Sequence, residues 1–314
     1  MALNELDRVE ILTLQDNYID ITAMDDGDVV RRARNVRDGV ICNSILAEHG
    51  FSALVRLSRG GRQKTILFDF GFSEHGAAFN ADALGVDLRG VEVLVLSHGH
   101  GDHTGGLRSL LSKIGRPGID LVLHPAAFKP DRYLVRSGSK DRFPRLARED
   151  LEKLGLRVVP TREPLPLLGG DALFLGEIPS TTPFEKGMPH AFFFRDGREA
   201  RDPIEEDSSI AMRLRGKGLI VLSGCAHSGI VNTVRHAMAV TGVDKVHAVM
   251  GGFHLSGPAF ESVIAPTAEA IKKIGPDYII PCHCTGRKAI LRLEQDMPGQ
   301  FILNMSGTTL TFRA

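Results

Sequence analysis

Four times in this chain a short aliphatic run stops at, or just short of, a histidine. Val91–Leu96 runs into Ser97-His98, and Leu219–Leu222 into Ser223-Gly224-Cys225-Ala226-His227. Val246–Met250 runs into Gly251-Gly252-Phe253-His254, and Tyr278-Ile279-Ile280 into Pro281-Cys282-His283. Runs of this length and composition read as buried strands, and a helix-like segment follows each. Strands of one sheet that run the same way bring their carboxyl ends to one edge. The pattern therefore predicts an α/β chain that gathers four histidine-bearing strand ends at one place.

The densest of these ends is Ser97-His98-Gly99-His100-Gly101-Asp102-His103-Thr104-Gly105-Gly106. After it, Leu107, Leu110, Leu111 and Ile114 keep the i, i+3, i+4, i+7 spacing of an amphipathic helix, which Gly115 closes. The cluster thus sits on a strand-to-helix loop, where side chains converge without competing for the core. Imidazole and carboxylate are the ligands that suit zinc, iron or manganese. Histidines so crowded would repel one another once protonated, which argues against a merely polar turn.

A chain of 314 residues can bury one large core, and nothing in it forces a second. We expect a single domain over 1–314, with a proline-punctuated, loop-rich insertion at about 124–215 overhanging the site through Arg132-Tyr133 and Arg136–Arg145. Basic and acidic residues balance at 38 each, so general nucleic-acid binding through phosphate neutralisation is not expected. No run has the length of a membrane span, and the first residues lack the apolar core of a signal peptide. Cys42, Cys225, Cys282 and Cys284 form no disulfide framework by spacing, which suits a reducing cytoplasm.

Val9–Leu14 reads as a first strand, and Phe51–Leu57 with Thr65–Gly71 as a hairpin turning at Gly60-Gly61. Asp25–Asp38, with Arg31, Arg32, Arg34 and Arg37, reads as a solvated charged loop. Asp69 closes an apolar run, either as a strand-end cap or as a carboxylate supporting a metal ligand. His124 and His190 are treated as non-ligands. Strand alternation places Cys225 on the side of His227 and turns Cys282 and Cys284 away from His283; all three read better as buried thiols than as ligands.

The His-x-His-x-Asp-His block resembles the signature of the metallo-β-lactamase superfamily. The resemblance extends over Ala47–Ser52, Leu67–Gly71, Ser97–Leu107, Gly224–Thr233, Gly251–Leu255 and His283–Gly286. These look like the branch of metal-dependent hydrolases related to dihydropterin ribofuranosylaminobenzene phosphate synthase. The resemblance implies a four-layer αββα sandwich holding one or two divalent metal ions, with zinc the first expectation and manganese or iron next. His98, His100 and His227 would hold one ion, and Asp102 and His103, helped by His283, the other. Asp69 would support the ligands, and Asp102 would orient or deprotonate a metal-bound water or hydroxide that attacks the substrate.

One departure stands out. Where that superfamily usually carries a bridging aspartate, this chain offers His254, and a neutral imidazole cannot bridge two cations. His254 therefore replaces the bridge, touches substrate, or marks a weak second site. The altered segment Glu205-Glu206-Asp207-Ser208 leaves the role of that region open. Thr285-Gly286-Arg287-Lys288 opens a helix, and Arg287 or Lys288 could serve a phosphate or carboxylate there; Ser228-Gly229 is a second helix start that could face an anion. The expected function is hydrolysis of a small anionic, phosphate-bearing ester. The alternatives are a synthase joining a dihydropterin fragment to an aryl ribofuranosyl phosphate, and a non-catalytic metal-binding or sensing protein. The oligomeric state is not legible.

Overall fold

The computed structural model describes residues 1–34, 36–41, 45–195 and 197–314, so Cys42 lies outside the described residues. Two large sheets face one another. The first runs, in spatial order, Arg157–Pro160, Asp120–Leu123, Val93–Val95, Arg62–Phe68, Ser52–Arg59, Arg8–Gln15, Thr309–Arg313 and Val30–Arg31. The second runs Leu165–Leu167, Ala172–Phe174, Ser209–Leu214, Gly218–Ser223, Val246–Gly252 and Tyr278–Cys282, with Glu5–Leu6 joining beside Ser209–Leu214.

Period-two alternation sorts the side chains into layers. In the second sheet Ile220, Leu222, Ala248, Met250 and Ile280 meet Phe51, Phe68, Val95 and Phe312 of the first sheet and its margin, forming the central core. Their neighbours Val221, Val249 and Ile279 turn outward onto the helices Ile230–Thr241, Glu261–Ile274 and Arg287–Asp296. On the far side, Leu67, Leu94 and Leu121 meet Ala77, Leu107, Leu110 and Ile114 from the helices Gly76–Ala83 and Leu107–Ile114. Strands buried on both faces explain why the runs are continuously apolar. The result is a four-layer αββα sandwich.

Three sequence expectations change. The four histidine-bearing strands do not share a sheet: Val93–Val95 belongs to the first, and the strands before His227, His254 and His283 are parallel neighbours in the second. Their ends still meet, because the two sheets are stacked with these ends on one side. The 124–215 stretch is not chiefly loop. Arg157–Pro160 extends the first sheet, and Leu165–Leu167, Ala172–Phe174 and Ser209–Leu214 extend the second. Tyr133–Arg136, Ser139–Arg142, Ala191–Arg195 and Arg198–Arg201 form a separate four-stranded antiparallel sheet. Within the charged segment Arg32 is buried, its guanidinium held by Asp25, the Leu303 carbonyl and Thr308 Oγ1.

Two glycines at the ends of second-sheet strands sit where no side chain fits. A Cβ on Gly224 would overlap Ser97 Oγ and come within 2.6 Å of Asp69 Oδ2, and one on Gly252 would come within 2.6 Å of Cys284 Sγ. Gly90, by contrast, has open space around it. Gly224→Ala should therefore cost about 1–3 kcal/mol of stability, while Gly90→Ala should cost far less. Urea unfolding of the two variants side by side checks this.

Candidate metal centre

Left-handed backbone turns sit at or beside several of the candidate donors. Asp69, Ala226, His254 and His283 adopt positive φ values of 54°, 48°, 46° and 49° directly at or after strand ends. Such non-glycine conformations are costly and persist only where the surroundings hold them. The chain turns at Ala226, just past the strand end, and Cys225 and His227 on either side of it both reach the centre. Asp207 Oδ2 accepts the Ser228 amide at 3.0 Å and steadies that loop; burial pushes the Asp207 carboxyl up to about 7. The Asp16 carboxylate accepts the His283 amide at 2.9 Å, and Asn17 Nδ2 donates to the His283 carbonyl at 3.0 Å.

Asp69 is fully buried and accepts three hydrogen bonds, from the Ser97 amide at 2.7 Å, Ser97 Oγ at 2.7 Å and His103 Nδ1 at 2.6 Å. Ser97 Oγ in turn lies 2.9 Å from His98 Nδ1. Holding one ring nitrogen leaves the other, Nε2, facing the centre. On the opposite wall His283 Nδ1 lies 3.3 Å from Asn17 Oδ1, which leaves its Nε2 facing the same way.

Two donor sets result. His103 Nε2 is 3.2 Å from His283 Nε2 and 3.2 Å from Cys225 Sγ, and Asp102 Oδ2 is 3.3 Å from His283 Nε2 and 3.7 Å from His103 Nε2. His98 Nε2 is 3.2 Å from His227 Nε2, with Cys225 in the same cluster and His100 grouped with His98 and Asp102. Two nitrogens on one tetrahedral zinc lie about 3.3 Å apart, given Zn–N bonds of about 2.0–2.1 Å. His100 Nε2 is buried without a hydrogen-bond partner. The spacing, the converging acceptors and the orphaned nitrogen all fit a bound cation.

Electrostatics agree. Burial holds the His98, His100 and His227 imidazoles well below their ordinary pKa, joined by His103 for His98, Arg132 for His100 and His254 for His227, so all three are neutral and fit to coordinate. Burial would raise the Asp102 carboxyl, but the charge of His103 and hydrogen bonds from His283 and His49 outweigh it and hold it well below the carboxylate range. His103 differs: burial opposes its charge, yet the carboxylates of Asp69 and Asp102 push it up to about 9, so a cation at its Nε2 would have to displace a proton.

The other expected residues are placed as follows. His254 is grouped with Cys225 and Cys284 and packs beside the first histidine set, its ring 4.2 Å from His227 and 4.9 Å from Phe260. Cys282 packs into the central core, whereas Cys284 faces the Cys225 carbonyl at 3.5 Å. Arg287 and Lys288 are exposed, and Lys288 Nζ is paired with Glu261. The helix start after Ser228-Gly229 is filled by Glu185, whose carboxylate accepts the Val231 and Asn232 amides at 2.9 Å each; an anion has no free place there. His124 Nδ1 accepts the Ala126 amide, and neither it nor His190 joins a donor set among the described residues.

The sequence reading missed three contributors. His49 Nε2 lies 3.2 Å from Asp102 Oδ2, which raises its pKa. Phe143, from the small antiparallel sheet's margin, stacks on His100 at 4.1 Å and 3°. A pocket walled by Phe184, Phe253, Leu255 and Phe260 opens at His227 and His254 and carries Lys186 and Arg201. None shows in local periodicity, since each is brought in by chain folded back from elsewhere.

Asp69→Asn, which keeps shape but removes charge, should weaken metal affinity about 10–100-fold, read by competition with a chromophoric chelator. The raised pKa of His103 contributes stability that is complete below the unfolded value of about 6.5 and is lost as pH rises through about 9. Metal-free protein should accordingly melt at falling temperature across that window, and His103→Gln should flatten the decline.

Comparison with known proteins agrees with this geometry. Residues 47–235, more than half the chain, match the model of the metallo-β-lactamase superfamily. The chain is 33% identical over 321 residues to a 7,8-dihydropterin-6-methyl-4-(β-D-ribofuranosyl)-aminobenzene-5'-phosphate synthase of Methanocaldococcus jannaschii, covering 99% of each. An uncharacterised protein of the same organism is 30% identical over 267 residues, covering 82% of this chain and 92% of its own. Among solved structures, a metal-dependent hydrolase of the β-lactamase superfamily superposes with a TM-score of 0.74 at 24% identity, over 98% of this chain and 100% of the other. On fold, motif and whole-length similarity, this chain belongs to the metallo-β-lactamase superfamily.

Proposed function

We propose that the protein is a metal-dependent enzyme whose substrate joins a planar aromatic ring to a phosphate, and that it catalyses a synthase reaction of the kind its M. jannaschii relative is named for. The observation that carries this reading is the pocket beside the donor sets, which has aromatic and aliphatic walls and the exposed side chains of Lys186 and Arg201 among its lining. Phe184, Phe253 and Phe260 offer the apolar faces that a pterin or aminobenzene ring would cover. Arg201, whose guanidinium also donates to the Lys186 carbonyl at 3.2 Å, suits a phosphate through its planar fork. Similarity to the synthase along the whole chain supports the same assignment.

His98, His100, Asp102, His103, His227 and His283 would hold the divalent cation or cations, which supply Lewis-acid polarisation of a bound oxygen. Asp102, kept ionised, accepts the hydrogen bond of His49 Nε2 and so holds that imidazole, with its proton, at the edge of the site. Phe143, stacked on His100, keeps water from that side. His254 fits the pocket mouth as a substrate contact. Hydrolysis of a phosphate-bearing ester is the second reading, favoured by the two donor sets meeting at Asp102.

The test incubates metal-loaded protein with a 7,8-dihydropterin fragment and 4-(β-D-ribofuranosyl)aminobenzene 5'-phosphate, and separately with a panel of phosphate esters. Coupled product by mass spectrometry, lost on chelation, supports the synthase. Turnover of esters alone supports hydrolysis, and neither product overturns both. Arg201→Ala should raise KM about tenfold or more, as expected for loss of a charge-assisted hydrogen bond, while kcat changes little.

A further inference from the structure

Two residues are shared between the donor sets: Asp102, grouped with His98 and His100 and again with His103 and His283, and Cys225. Cys225 Sγ clusters with Asp102, His103 and His283, and it also clusters with His98 and His227, all donor atoms in each cluster lying within 4.8 Å of one another. Its nearest measured neighbour is a ligand-facing nitrogen, His103 Nε2, at 3.2 Å. Cys225 is 2% exposed, so it does not sit there as a solvent-facing thiol. His254, the residue the sequence offers at the bridging place, belongs to neither histidine set.

We propose that the Cys225 thiolate is a metal ligand, bridging the two cations that the His98/His227 and His103/His283 pairs would hold. The proposal rests on the metal-centre reading above and adds to it the identity of the bridge. The chemistry admits sulfur at this place beside the Asp102 carboxylate and excludes imidazole. A bridging ligand needs two lone pairs directed at two cations; an imidazole Nε2 has one, whereas a thiolate sulfur has three. The backbone turn at Ala226, φ 48°, brings Cys225 and His227 to one centre from a single strand end. On binding, the Cys225 S–H bond gives its proton to solvent, the sulfur keeps the electron pair, and the S–metal bonds form from it.

Cys284 is the natural control. It lies close to Cys225 and His254, yet it joins neither histidine set. Its hydrogen bond to the Cys225 carbonyl marks it as a neighbour that supports the loop.

The test uses the full chain loaded with Co(II), followed by absorption spectroscopy and elemental analysis. The wild type and Cys284→Ser should show a sulfur-to-cobalt charge-transfer band in the near ultraviolet, with about two metals per chain, as a dinuclear site requires. Cys225→Ser should lose the band and hold less metal. Cys225→Asp, which restores a bridging group without sulfur, should recover the metal content while the band stays absent. Wild-type zinc protein examined by X-ray absorption gives a readout independent of any variant's folding: a sulfur scatterer at about 2.3 Å is expected. Two metals per chain with no sulfur scatterer and no band overturn the bridge while leaving the metal centre intact. A band that survives Cys225→Ser and vanishes in Cys284→Ser overturns it in favour of the other thiol. Failure to bind metal overturns the metal-centre reading itself.

Discussion

The centre depends on one buried carboxylate. Asp69 ends a strand of the first sheet with no exposure to solvent, and its three accepted hydrogen bonds fix both the backbone at Ser97 and the ring of His103. Through Ser97 Oγ it reaches His98 as well. A buried charge left unpaired would cost several kcal/mol, so the loop carrying the histidines has strong reason to keep this arrangement. The same carboxylate limits what the second sheet can place against it, which is why Gly224 has no side chain.

A second network roots the small antiparallel sheet, whose margin covers His100 with Phe143. Arg132 and Lys129, from the segment leading into the small antiparallel sheet, meet Asp202, Glu205 and Glu206 from the segment leaving it. Arg132 Nε lies 2.6 Å from Asp202 Oδ2 and Lys129 Nζ 2.8 Å from Asp202 Oδ1. These carboxylates pair with cations at the cover's root. Leu134, Ala191 and Ile204 pack with Phe143 and Met188 above them, so the ring stacked on His100 is supported from behind. The altered segment around Glu205-Glu206-Asp207 thus divides its work, with the glutamates anchoring the cover and Asp207 steadying the loop that carries His227.

Much of the fold was legible because burial on two faces leaves a plain signature. Apolar runs such as Leu219–Leu222 and Tyr278–Ile280 became strands, and Leu107–Ile114 became the helix its spacing predicted, closed by Gly115 in the left-handed conformation. The separation of these strands into two sheets was not legible, since a strand covered on both sides reads the same in either. The strands within 124–215 were obscured by prolines: Pro160 and Pro166 lie within the strands that extend the two sheets, where propensity argues against them. Arg32 looked like one more surface charge because its partners, Leu303 and Thr308, lie at the other end of the chain.

The sequence by itself determined the donor inventory and its sites of display: His98, His100, Asp102 and His103 on one loop, and His227 and His283 at later strand ends. Residue type and adjacency suffice for that, because chemistry and strand ends are local properties. Only the tertiary structure decided how the donors are shared. It set His254 at the pocket against His227, grouped Cys225 with both histidine pairs, filled the helix start after Ser228 with Glu185, and laid Phe143 on His100. Each of those outcomes depends on a backbone turn of a few residues or on a segment distant in the chain. Distances of 3–4 Å between such groups are fixed by packing of the two sheets, which no local pattern records.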